Sequence, residues 1–186
     1  MDVSALHAVT EDLAAHLSEV TQGDLGHPTS HASWDIGDLY LHLIENNLRI
    51  AEVVAGEPPA RQAVAPDRGT LANSLNLYGG GLEGDYRRTA RHMEAAFAAV
   101  LTGDTLRRID GAEVDIATLY EQQISSAVVH TWDIAQVLGL PYQPPADITL
   151  RVLNAVQSRL SAPFEGLDNE TAFKWVLRMS GRLQDA

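Results

Sequence analysis

The sequence predicts an all-α protein, a bundle of four long helices with one or two short helices added, formed by a single domain that takes in all 186 residues. Three observations carry this. Apolar residues recur three or four apart along four long stretches. Capping residues and glycines mark where those stretches begin and end. Only residues 105–114, TLRRIDGAEV, read as β-structure, a small hairpin around Asp110-Gly111. A chain of this length can bury a core without staples, which suits the absence of cysteine. It therefore has neither a disulfide framework nor a thiol nucleophile of its own.

The first helix is expected over residues 4–21, where Leu6, Val9, Leu13, Leu17 and Val20 share a face. His7 and His16 lie on it without a partner at ligand spacing, and both read as solvated or edge histidines. GDLGHP ends the helix. The second begins near Ile36, with Ser33 or Asp35 as its cap and Trp34 placed to fold back on the first turn as a staple. Ile36, Leu39, Leu43, Ile50 and Val54 form its apolar stripe, and Asp38, Glu45, Arg49 and Glu52 gather opposite. His42 falls on the edge between the two faces, a position suited to reaching into a groove between helices. His42 with Glu45, and His130 with Asp133, have the i, i+3 spacing that can share a metal. Such pairs arise often by chance, and Glu45 projects to the wetter side.

Residues 56–69 hold three prolines without periodicity and read as a loop. A short helix up to Tyr78 follows, and Gly79, Gly80 and Gly81 break the chain, because each glycine forfeits about 1 kcal/mol of helix propensity. The triplet is not a phosphate loop, since no lysine and Ser/Thr follow in the required order. Leu82, Tyr86, Met93, Phe97 and Val100 resume a helical stripe through Leu101. Arg87, Arg88 and Arg91 lie on its exposed side as a salt-bridged face, or more rarely as carboxylate binders at the mouth of a site.

The central stretch, residues 115–139, reads DIATLYEQQISSAVVHTWDIAQVLG. Asp115 suits an N-cap, Gly139 a left-handed C-cap, and Pro141 follows where no helix continues. Ile116, Leu119, Gln123, Ala127, His130, Ile134 and Val137 fall on the stripe that should be buried. Gln123 and His130 are polar members of that stripe, and each needs a partner, because an unpaired buried polar group costs about 1–3 kcal/mol. Either they are satisfied inside the protein or they line a site. A helix through Ile148, Val152, Leu153, Val156 and Leu160 comes next, ended by Pro163. A last short helix carries Phe173, Val176 and Leu177 and stops at Ser180-Gly181-Arg182.

Thirteen basic residues against 25 acidic ones give a formal net charge of -12, a field that repels nucleic acid and anionic membranes. No stretch approaches the ~20 apolar residues of a membrane span, and no signal segment is present, so a cytoplasmic location is expected. The partner left is a small molecule. Lys174 is the only lysine beside twelve arginines, which with abundant alanine reads as a GC-rich coding sequence.

Three blocks carry a resemblance to a known family. They are P-T-x-x-x-x-W-x-x-x-D-L-x-x-H-L from Pro28 to Leu43, V-H-x-W-D-I-A-x-x-x-G from Val129 to Gly139, and the terminal Ser180-Gly181-Arg182. In order and spacing the chain is similar to the mycothiol-dependent maleylpyruvate isomerase group of the DinB-like superfamily. That resemblance implies a DinB-like four-helix bundle and a divalent metal, usually zinc, held by a histidine of the first block and by a Glu and a His of the second. The metal ligands carried over are His42 and His130. Trp132 and Asp133, in the same block, are the candidate cofactor contacts. The family's glutamate position is Ser126.

A serine hydroxyl is a poor ligand for a divalent cation beside a carboxylate. Three arrangements follow. Gln123 or Asp133 supplies the third ligand; the site binds metal weakly, completed by water or substrate; or the pocket works without metal, with His42 and His130 as acid and base and Ser126 or Gln123 as hydrogen-bond donors. The activity implied by the resemblance is a mycothiol-dependent isomerase or S-transferase, in which metal lowers the pKa of an external thiol that attacks a small electrophilic metabolite. A reading from another class is a metal-free small-molecule-binding or interaction protein on the same scaffold.

Overall fold

A computed structural model describes residues 2–31, 33–56, 68–69, 71, 80–100, 106–109, 112–157 and 166–183. Within them the protein is mostly helical, with a single two-stranded sheet. The long helices are α1 (Ser4–Ser18), α2 (Ile36–Ala55), α3 (Leu82–Ala99) and α4 (Ile116–Leu138). Two shorter ones, α5 (Ala146–Gln157) and α6 (Asn169–Met179), follow. The all-α DinB-like bundle with short additional helices expected from the sequence is the architecture observed.

Local chemistry sets the ends. Helix α1 stops at Ser18 instead of running to residue 21, because Thr21 starts a separate 3₁₀ turn, Gln22–Gly26, as its cap. Both the Thr21 amide and its hydroxyl bond the Asp24 carboxylate, at 2.9 and 2.6 Å, which is incompatible with continuing the helix. Val20 nevertheless stays fully buried. Asp35, not Ser33, caps α2: its carboxylate accepts from the Asp38 amide at 2.9 Å, and Asp38 bonds back. Asp115 caps α4 in the same way through Thr118, and Gly139 closes it in the left-handed conformation at φ 66°. Strands β1 (Leu106–Ile109) and β2 (Ala112–Asp115) pair antiparallel with Ile109 opposite Ala112. The turn residues Asp110 and Gly111 lie outside the described residues. So do the expected loop after Gly56 for most of its length, the short helix up to Tyr78 and Gly79, and Leu101, Leu160 and Pro163.

The four long helices pack in a ring. Helix α2 lies along α3, α3 also meets α1, and α1 lies along α4, while α2 and α4 touch at only a few points. Leu6, Leu13 and Leu17 of α1, Leu39 and Ile50 of α2, Phe97 of α3 and Ile124 and Val128 of α4 are buried in the shared core. Polar pairs cross the seams: Asn47 donates to Thr89 at 3.2 Å, and the Leu6 amide to the Tyr120 hydroxyl at 3.4 Å. Arg87 pairs with Glu11 and Arg88 with Asp85, so the arginines of α3 form the solvated ion-paired face the sequence suggested. Among the described residues no helix is long and apolar enough to cross a membrane.

Phe97 is fully buried and meets the Tyr120 ring edge-on at 5.3 Å. Phe97→Ala should therefore cost about 3–5 kcal/mol in urea unfolding through the cavity it opens. Asp115→Ala, which removes only a cap, should cost about 1 kcal/mol.

Candidate functional site

The loose seam between α2 and α4 opens into a cavity of about 580 Å³. Helix α2 supplies His42, and the segment before it supplies His31 and Trp34. Helix α4 supplies Glu121, Ser125, Ser126, Val129 and His130, and Ser180 and Arg182 close the wall from the turn after α6. Because a helix repeats every ~3.6 residues, Ser126 and His130 stand one turn apart on the same face of α4, with Asp133 a further turn on.

Four rings form a continuous series along one wall. His31 stacks on Trp34 at 4.1 Å, Trp34 tilts over His42 at 4.7 Å, and His42 meets His130 edge to face at 5.8 Å between centroids. Trp34 therefore packs on the His42 imidazole. Burial lowers the pKa of His42 to about 4, with the nearby His130, Arg49 and His31 acting in the same direction. At neutral pH His42 is an uncharged imidazole, able to accept a proton or to donate one hydrogen bond.

Behind the wall stands Asp133, with no exposed surface at all. Its Oδ2 lies 3.2 Å from His130 Nδ1, and Arg182 donates to both of its oxygens, from Nε at 3.1 and 3.3 Å and from Nη2 at 2.9 Å. Burial pushes the Asp133 carboxyl up, but the hydrogen bonds from His130 and Arg182 and the Arg182 charge outweigh it and hold the group below the ordinary carboxylate range. An ionised carboxylate only accepts hydrogen bonds, so Nδ1 of His130 must carry the proton that bridges them. Nε2 is then the free nitrogen of His130.

The structure brings His42, His130 and Ser126 to one cavity. It does not bring Gln123 or Trp132 there. Gln123 is buried and its Oε1 accepts from Asn46 at 2.8 Å, while Trp132 is half-buried against the core. Asp133 does not line the cavity and is reached through His130 and Arg182, which do. Arg182, Trp34 and His31 join the site without having been assigned to it from the sequence, although Trp34 and Arg182 both lie in the motif blocks.

These donors do not make a divalent-cation site. His42 and His130 offer two imidazoles, Ser126 is neutral, and Asp133 is held by Arg182. Among the described residues no three His, Cys, Asp or Glu side chains gather as metal ligands.

A family model described as the mycothiol maleylpyruvate isomerase N-terminal domain matches residues 6–135, taking in both histidines, Ser126 and Asp133. Two Mycobacterium tuberculosis proteins from different strains, each described only as uncharacterized, are 25% identical to the chain over 169 residues, 89% of this chain and 84% of their own length. No solved structure matches. Arg182 lies beyond the matched span.

Since Asp133 is buried and charged, removing its cation should be costly. Arg182→Met should destabilise the protein by about 3–5 kcal/mol in urea unfolding, and adding Asp133→Asn should recover part of that loss. The contribution of Asp133 is fully present above the ordinary carboxyl value of 3.8 and is lost as pH falls through its lowered folded value. A loss below about 1 kcal/mol would show the pair to be a solvated contact.

Proposed function

Because the chain belongs to the mycothiol maleylpyruvate isomerase N-terminal domain family, we propose that it is a thiol-dependent enzyme, an isomerase or S-transferase, acting on a small electrophilic metabolite between α2 and α4. The observation that carries this reading is the juxtaposition of His42 and His130 on one cavity, with the Asp133–Arg182 pair behind His130. A cavity of about 580 Å³ suits a metabolite-sized guest. The chain has no cysteine, so the thiol comes from solution.

The residues divide the work as follows. Nε2 of His130 accepts the proton of the bound thiol, and Asp133 stabilises the imidazolium that results. The thiolate attacks the electrophilic carbon, and the neutral His42 donates a hydrogen bond to the charge that develops on the substrate. In an isomerase the same proton then returns as the thiol is eliminated. In a transferase the carbon–sulfur bond is kept, and His130 gives the proton to the carbanion formed by addition or to the group that the thiolate displaces. Trp34 and His31 shield the rings from water on one side. Zinc would add Lewis-acid activation of the thiol in a site that held it, and here the donor set argues for weak metal binding at most.

Calorimetric titration with mycothiol, followed by turnover of activated electrophiles, tests the reading. His130→Ala should lower the thiol-dependent rate by about 10²–10⁴ while the helical circular dichroism is retained. Zinc analysis tests the donor set separately. The wild type should hold well under one equivalent after dialysis, and Ser126→Glu, which restores a carboxylate one turn before His130, should raise zinc affinity. A stoichiometric, chelator-resistant zinc in the wild type would overturn the metal-poor site.

A further inference from the structure

The replacement that spoils the metal site creates a different constellation. Ser126, His130 and Asp133 lie at i, i+4 and i+7 on one helix, and one of the contacts a nucleophilic serine needs, the bond between histidine and aspartate, is visible in the side chains around them. Asp133 is buried and bonded to Nδ1 of His130 at 3.2 Å. This fixes the tautomer in which Nε2 is the basic nitrogen. Ser126 and His130 line the same cavity. The neighbouring Ser125 spends its hydroxyl on the Glu121 carbonyl at 2.9 Å, a bond within its own helix. The Ser126 hydroxyl, by contrast, makes no hydrogen bond among the described residues. It is a free hydroxyl one turn from a histidine held by a buried carboxylate.

We propose that Ser126 is a nucleophile and that Ser126, His130 and Asp133 act as a serine–histidine–aspartate relay that hydrolyses a small acyl ester or thioester. As the proton of Ser126 Oγ passes to His130 Nε2, the oxygen attacks the acyl carbon. The bond from that carbon to the alkoxide or thiolate breaks, and the leaving group takes the proton from His130. Water then attacks the acyl-serine, His130 again receives a proton, and the acid departs as the proton returns to Ser126. The balance is ester plus water to acid plus alcohol, or thioester plus water to acid plus thiol. Donors for the transient oxyanion come from the cavity itself. Arg182 carries more N–H groups than its bonds to Asp133 and the Ser180 carbonyl consume, and His42 stands beside His130.

Asp133 plays the same part here as in the thiol-dependent reading, whose cavity and base this inference shares. It needs no thiol, so the two fail separately. The intact protein, free of added thiol, is treated with a fluorophosphonate probe and followed by intact mass and peptide mapping. One adduct, on Ser126, is expected. It should be absent in Ser126→Ala and formed at least about 10²-fold more slowly in His130→Gln. Ser126→Ala removes a hydroxyl without a partner and should keep the wild-type circular dichroism and urea midpoint, so loss of labelling reads as loss of the nucleophile. A thiol-free p-nitrophenyl acetate reaction should leave an acetyl group on Ser126. No adduct on the wild type, labelling that persists in Ser126→Ala, or a rate indifferent to His130→Gln would overturn the proposal.

Discussion

The arrangement around the cavity depends on a carboxylate that has no water. Asp133 is entirely buried in a helix whose other core positions are mostly apolar. An ionised group there is tolerable only if its oxygens are fully engaged, since removing a charge from water costs several kcal/mol even after relaxation. Arg182 engages both oxygens and His130 engages one. Two consequences follow from that single requirement. The turn after α6 is tied to α4 across 49 residues of sequence, and the His130 ring is held in one orientation with Nε2 released. A stability requirement has thereby fixed the geometry of a reactive nitrogen.

The cavity exists because the ring of helices closes unevenly. Across most of the interior large apolar side chains fill the space, as where Phe97 meets Tyr120. Between α2 and α4 the contact falls to a few points, and the α4 side there presents Ser125, Ser126 and Val129, which are too small to fill the gap. Asn46 and Gln123 bridge the same seam with a direct hydrogen bond. That bond accounts for the polar Gln123 on a buried stripe and explains why it takes no part in the cavity. Helices fastened at one level and held apart at another leave a pocket whose walls cannot collapse without breaking the fastening.

How far the sequence could be read follows from which forces are local. The ends of α2 and α4 were legible because capping is a matter of residues within one turn: Asp35 with Asp38, Asp115 with Thr118, and glycines at positive φ. The end of α1 was misplaced by the same rule, since periodicity through Val20 masked the Thr21–Asp24 cap. His42 could be placed on a helix edge and His130 on a buried stripe by projection, and Ser126 by motif. The role of Asp133 could not. Its spacing from His130 suggests a ligand or a cofactor contact, and only the approach of Arg182 from far along the chain turns it into a buried counter-ion. Ser180-Gly181-Arg182 was visible as a block, but nothing in its sequence says that the arginine turns inward.

Taken together, the charges about the site are compensated. Arg182 is matched by Asp133, and Glu121 at the rim is matched by Arg151, whose guanidinium also lies over the Tyr120 ring at 5.3 Å. His42 is neutral at physiological pH. A carboxylate at position 126 would leave a net negative site that asks for a cation, whereas serine leaves a cavity with no unbalanced charge. Such a cavity has little to attract an ionic ligand for its own sake. On the reading proposed above it suits a neutral electrophile, to which it offers a wall of stacked rings, a held imidazole nitrogen and a free hydroxyl. The chemistry such a site can do is proton movement coupled to nucleophilic attack, because the proton creates and removes charge only while the reaction is under way, and the buried Asp133–Arg182 pair is already in place to stabilise the imidazolium when it appears.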